Sequence, residues 1–142
     1  MAKMPEGEWR NFLLSKPRTG KLTTTRKNGA PHVAPIWFDL DGDEIVFTTS
    51  ESSVKGRNLA RDPRVSMCVD DEDPPFSYVI VEGTAANSAA DQADLVSWAT
   101  RLGGRYMGAD RAEEFGRRNG VPGELVMRLT PTKIIAEEAI AD

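Results

Sequence analysis

The sequence predicts a mainly β fold with inserted helices, in which six antiparallel strands in hairpin order close into a small barrel. Three observations lead there. Short alternating or β-branched runs recur between tight-turn signals, most clearly Asn28-Gly29 and Asp41-Gly42. Only one long helical pattern occurs, and it falls late, before the last strand. A meander of this length leaves open edges unless the sheet closes or pairs with a second chain, so a barrel that forms a homodimer is expected.

Each element has its own signal. Residues 5–15 place Trp9, Phe12 and Leu13 on one side of a short amphipathic helix. Lys21 to Arg26 is Thr-rich with good strand propensity, and Asn28-Gly29 turns it into a return strand, His32 to Phe38. Asp41-Gly42 turns again into Glu44 to Thr49, so these three strands are expected to pair in succession. A helix over about residues 53–61 is stopped by Asp62-Pro63, because the residue before proline avoids the helical region.

Val65 to Val69 is the fourth strand, and an acidic, proline-rich loop leads to the fifth, Ser77 to Ala85. There Tyr78, Ile80 and Glu82 share one face, and Val79, Val81 and Gly83 the other. A helix pair fills about residues 90–119. Its first member buries Leu95, Trp98, Ala99 and Leu102 and is expected to end at Gly103-Gly104; the second, Asp110 to Arg118, stops at Asn119-Gly120. Leu125 to Leu129 is the sixth strand, extended by Lys133 to Ala136 past a bend at Pro131. No repeat or composition break divides the chain, so residues 1–142 read as a single domain.

With 142 residues, 39% of them hydrophobic and 28% charged, the chain has the composition of an ordinary globule able to close one core. No apolar run approaches bilayer-spanning length, and no basic-then-apolar leader opens the sequence; a cytoplasmic protein with no membrane partner is expected. The single cysteine, Cys68, suits a reducing compartment and reads as a packed thiol. A net charge of −4 argues against nucleic acid as a partner. His32, the one histidine, reads as a rim residue, and no metal centre is expected. The acidic run Asp70 to Asp73 lacks the spacing of a calcium loop and reads as solvated.

The chemistry-bearing stretch runs from Thr48 to Leu59. Thr48, Thr49, Ser50, Ser52 and Ser53, with Lys55 and Arg57, fall within ten residues between a strand and a helix start. Hydroxyls and backbone N–H groups at a helix start, with cations one turn in, suit a phosphate group. The same residues also read as a helix cap with solvated charges, and Arg57 alternatively pairs with Glu51 or Asp62. Nothing else resembles a nucleophile, so a phosphorylated cofactor is expected to supply any chemistry.

Four stretches carry a family likeness: Leu22 to Phe38, with Pro35-Ile36-Trp37; Val54 to Val65, with Lys55-Gly56-Arg57-Asn58-Leu59; Val81 to Ala85; and Arg128 to Lys133. In order and spacing the chain resembles the flavin-reductase-like split β-barrel proteins related to pyridoxamine 5'-phosphate oxidase, and within them the branch that uses the deazaflavin coenzyme F420. The resemblance implies the FMN-binding type of split barrel and a homodimer. It implies a cofactor phosphate over Thr48, Thr49, Ser50, Ser53, Lys55, Arg57 and Asn58. The tricyclic ring would lie against Pro35, Ile36 and Trp37, and Phe76 and Tyr78 are candidates for a wall supplied by the partner chain.

Pro35 lacks an N–H for a ladder and fits a strand that borders a ligand or an edge. Trp37 reads equally as a core aromatic, while Trp98 reads as structural. Arg101, Arg105, Arg117 and Arg118 read as surface charges, with attraction of a deazaflavin's acidic tail as the alternative. The implied activity is an F420-dependent oxidoreductase, passing hydride between reduced deazaflavin and a small planar conjugated acceptor such as an enone, quinone or tetrapyrrole. No catalytic side chain is implied, because solvent can protonate the product. An FMN-binding member of the same fold is the alternative, although Val54 stands where oxidases often carry a phosphate-binding arginine. A noncatalytic flavin or deazaflavin carrier is the third reading.

Overall fold

The computed structural model describes residues 2–142. In chain order it contains β1 (Ala2–Lys3), α1 (Glu8–Ser15), β2 (Gly20–Thr25), β3 (Pro31–Ile36), β4 (Asp39–Asp41), β5 (Glu44–Ser50), α2 (Val54–Arg61), β6 (Arg64–Asp71) and β7 (Ser77–Asn87). There follow α3 (Gln92–Met107), a single 3₁₀ turn (Ala109–Arg111), α4 (Ala112–Asn119) and β8 (Glu124–Glu138). One antiparallel sheet takes all the strands in the order β3-β2-β6-β7-β8-β5-β4, with β1 added along β8.

The barrel is split, as the resemblance implies, and not closed as the strand pattern alone suggests. No ladder joins β3 to β4, the two ends of the sheet. These ends are nevertheless consecutive in the chain, separated only by Trp37 and Phe38. The sheet therefore curls until its edges meet at that dipeptide. The three-strand meander does not form either, since β5 pairs with β4 and β8 and not with β3. At the joint, Phe38 is fully buried and its N–H donates to the Tyr106 hydroxyl (3.2 Å) instead of to a neighbouring strand. Pro35 does lie on an edge strand, as its missing N–H requires.

Period-two alternation places one face of each strand in the core. Leu22, Phe38, Ile45, Phe47, Met67, Val69, Val79, Val81 and Leu129 are all fully buried, and α1 closes the cluster with Trp9, Phe12 and Leu13. In β7, Val79, Val81 and Gly83 point inward and Tyr78, Ile80 and Glu82 outward, as expected. Cys68 is a correction: it lies on the outward face of β6, half-buried beside Lys21 and Ile80. Burial raises its thiol pKa, and Asp70 adds to that. The acidic loop is partly neutralised, with Lys21 on Asp70 and Arg18 on Asp71.

Gly103 and Gly104 do not end α3, which runs on to Met107 and stops at Gly108, φ 105°. A Cβ on Gly103 would overlap the Cβ of Phe115, and one on Gly104 would come within 3.2 Å of Ala112. The pair lets α4 pack closely on α3, although glycine costs about 1 kcal/mol per position in a helix interior. Trp98 is only half-buried on this stripe and takes Arg101 and Arg128 over its ring. Strand β8 runs unbroken past Pro131, which lies opposite Gly83; Thr132 is the extra, bulged residue.

Candidate functional site

The turn from β5 into α2 is held by its own hydroxyls. Ser53 caps α2: its Oγ accepts from the Gly56 N–H (3.0 Å) and donates to the Ser50 carbonyl (2.7 Å). Its only proton is thereby used, so Thr49 Oγ1 donates to Ser53 Oγ across 2.9 Å. Ser50 Oγ lies 2.9 Å from Ser52 Oγ and accepts from the Ser52 N–H. The cap reading is thus realised for Thr49, Ser50 and Ser53. What remains available is the Thr48 hydroxyl, the Lys55 ammonium and the amides of Val54 and Lys55, which have no hydrogen-bond partner among the described residues.

Two recesses flank this turn. The first is a cavity of about 290 Å³ lined by Pro35, Ile36 and Trp37 on one side and by Thr48, Arg118, Asn119 and Glu124 on the other. Trp37 is fixed by neighbours on the helix pair. Its ring stacks on Tyr106 with centroids 5.2 Å apart, and Phe115 meets it edge-on at 5.7 Å. Glu124 opens β8 directly opposite Ser50. Burial raises its carboxyl pKa, against the opposing pull of Lys55.

The second recess is an open groove of about 660 Å³ on the other flank of α2. Arg26, Lys27, Arg57 and Arg61 line it, with Glu51 as its one acid. Asn58 reaches its edge but is committed elsewhere: buried, it donates to Thr24 Oγ1 (3.0 Å) and accepts from Arg61 (2.6 Å). Asn58 therefore ties α2 to β2 and does not share a recess with Lys55.

Many of the other cations in the fold are spoken for. Arg10, Arg18, Lys21, Arg64, Arg101, Arg111 and Arg128 all pair with carboxylates, and Arg105 binds the carbonyls of Leu13 and Lys16. Arg26, Lys27, Lys55 and Arg57 pair with none among the described residues, and neither do Lys3, Arg117, Arg118 and Lys133; Asp62, the expected alternative for Arg57, holds Arg64. Four unpaired cations are thus carried on or near α2, and two more, Arg117 and Arg118, on α4. No group of three acid, histidine or cysteine side chains suited to a metal ion occurs among the described residues.

The expected site residues are thus distributed. Pro35, Ile36, Trp37 and Thr48 share the cavity; Lys55 lines neither recess; Thr49, Ser50 and Ser53 build the turn; Arg57 and Asn58 lie on the groove side. Phe76, half-exposed with φ 68°, and Tyr78, opposite Asp70 and Glu137, start β7 and line neither recess. Sequence reasoning missed Glu124, Asn119 and Tyr106; Arg118 is exposed, as expected, and also lines the cavity. Asn119 stood only as a helix stop, and no local spacing links Glu124 to Thr48.

The family model for pyridoxamine 5'-phosphate oxidase matches residues 6–137, nearly the whole chain. The chain belongs to the pyridoxamine 5'-phosphate oxidase family. Its sheet order and helix placement are therefore those of that family's split barrel. A solved structure named F420 reductase is 31% identical, with 92% of this chain and 98% of that one covered and a TM-score of 0.71. A conserved hypothetical protein of Mycobacterium tuberculosis, Rv2991, superposes with a TM-score of 0.82 at 28% identity, over 96% of this chain and 86% of its own. A curated relative from Streptomyces rimosus, a 5a,11a-dehydrotetracycline/5a,11a-dehydrooxytetracycline reductase, is 36% identical over 74 residues, or 46% of this chain. That match spans about half the relative's length, 52%. No helix among the described residues is long and apolar enough to cross a membrane.

Proposed function

We propose that this member of the pyridoxamine 5'-phosphate oxidase family is an F420-dependent oxidoreductase that passes hydride between reduced deazaflavin and a planar conjugated acceptor. The observation that carries the reading is Lys55, an ammonium without an ion-pair partner at the start of α2, acting electrostatically on Glu124 in the cavity walled by Trp37. A flat heterocycle with an anionic tail needs that pairing of an apolar wall with a cation. Likeness to a protein named F420 reductase over almost all of its length supports the deazaflavin.

When bound, F420 supplies the hydride from carbon 5 of its reduced ring. The chain's own residues do the holding. Trp37, braced by Tyr106 and Phe115, presents a rigid apolar wall, and the backbone of Pro35 and Ile36 borders the ring edge. Lys55 and the free amides of α2 take the phosphate, with Thr48 beside them. The groove of Arg26, Lys27, Arg57 and Arg61 extends the positive field to any acidic tail beyond it.

The working unit in this reading is a homodimer. A cross-strand row, Pro35–Lys21–Cys68–Ile80–Ile135, crosses the outward face of the sheet and begins at a cavity residue. Lys21, Cys68, Ile80 and Ile135 in it are half-buried, with Tyr78 on the same face. A second chain laid there extends the 290 Å³ cavity, which is small for a tricyclic ligand, and brings its own Phe76 and Tyr78 to the wall.

FMN is the competing cofactor, favoured by the family model itself. The test is anaerobic mixing of the protein with reduced F420 or reduced FMN and a panel of enones, quinones and tetrapyrroles. Acceptor-dependent reoxidation of F420 alone is the expected result. Reoxidation of FMN alone would transfer the reading to flavin, and reduced cofactor persisting against every acceptor would leave a carrier.

A further inference from the structure

Glu124 is out of place in an anion site. It enters the cavity from the first position of β8, opposite Ser50, and faces Lys55 on α2, Thr48 on β5, Arg118 and Asn119 at the end of α4, and Trp37 beyond β3. Among the described residues its carboxylate makes no hydrogen bond and no ion pair, although it is about half-buried. A carboxylate offers some four acceptor positions, and with no protein donor on them these stay open to a ligand. It also repels a phosphate, so its presence beside Lys55 weakens a site meant for phosphate alone.

The position resolves the conflict. Glu124 shares the cavity with Trp37 and pairs with Ser50, the end of β5, from which the chain turns into α2 and Lys55. A ligand with its ring at Trp37 and its phosphate at the start of α2 has its connecting chain near Glu124. Hydroxyl groups on that chain can donate to the carboxylate, as ribose hydroxyls do for an acidic residue in dinucleotide sites. A ring joined to phosphate by a short apolar link would leave the carboxylate desolvated and unpaired.

We propose that Glu124 is a specificity-determining residue whose carboxylate accepts hydrogen bonds from a polyol chain, selecting ligands in which several hydroxyls separate ring from phosphate. The inference rests on the ring and phosphate placements given above, and it adds a reader for the linker.

The test is a fluorescence titration of wild-type protein, Glu124→Gln, Glu124→Ala and Lys55→Ala with three probes. These are F420, its ring-and-polyol fragment without phosphate, and the same ring carrying methyl in place of the polyol. Glu124→Ala should weaken the phosphate-free polyol fragment by about tenfold, weaken F420 by less because repulsion of its phosphate is relieved, and leave the methyl probe unchanged; Glu124→Gln should fall between. Lys55→Ala should weaken F420 and spare the fragment. Unchanged affinity for the fragment in Glu124→Ala, or equal losses for all three probes, overturns the role of Glu124 while leaving the Lys55 reading intact. A wild-type protein that binds none of the probes overturns both.

Discussion

Trp37 lies face to face with Tyr106, ring centroids 5.2 Å apart and planes 5° from parallel. The stack joins the gap between the two sheet edges to α3, the helix that covers it. The Tyr106 hydroxyl completes the joint, accepting from the Phe38 N–H and donating to the Arg18 carbonyl (2.8 Å). One side chain therefore fixes the split in the barrel and the wall of the cavity together.

Removing only that hydroxyl separates the two roles. Tyr106→Phe keeps the stacked ring but leaves the half-buried Phe38 amide and Arg18 carbonyl short of a partner, a loss of about 1–3 kcal/mol. Denaturant unfolding should show this loss, with ligand affinity little changed. A variant as stable as wild type would mean that water replaces the hydroxyl at no cost.

Gly103→Ala discriminates between two meanings of a glycine pair. Were Gly103 an uncrowded helix-interior position, alanine would stabilise α3 by about 1 kcal/mol. Because a Cβ there overlaps Phe115, overpacking should instead destabilise the fold by about 1–3 kcal/mol. Thermal melts of the variant give the sign directly.

How far local signals carry can be read from these residues. Ser53 as a cap, the Asn28-Gly29 turn and the alternation of β7 were legible, because each is decided by neighbours a few residues away. Gly103-Gly104 was not, since a helix stop and a close helix contact call for the same residue and only the position of Phe115 decides. The meander failed for a similar reason: the hairpin signal at Asp41-Gly42 was right, but the strand it turns from is the short β4, cut off from β3 by buried Phe38. Of the residues lining the cavity, Pro35, Ile36 and Trp37 were named through the family resemblance and Thr48 by its place among the hydroxyls. Glu124 was not named, because strand register, a long-range property, brings it there.

Burial of Glu124 sets a pH dependence with a definite sign. The folded protein holds this proton more tightly than the unfolded chain does, since burial outweighs the pull of Lys55. Ionising the carboxyl therefore reduces stability as pH rises through the range above the ordinary glutamate value, and below that value the penalty is absent. Glu124→Gln should raise the melting temperature at neutral pH and give no gain in acid. A gain of equal size at both would show that the carboxyl's charge is not the cause.

The central claim, an anionic cofactor tail held at Lys55 beside Trp37, is tested most directly by the affinity of purified protein for F420, wild type against Lys55→Ala. Loss of a charge-assisted bond to phosphate predicts binding weaker by about tenfold or more. Equal affinity in the two proteins would contradict it.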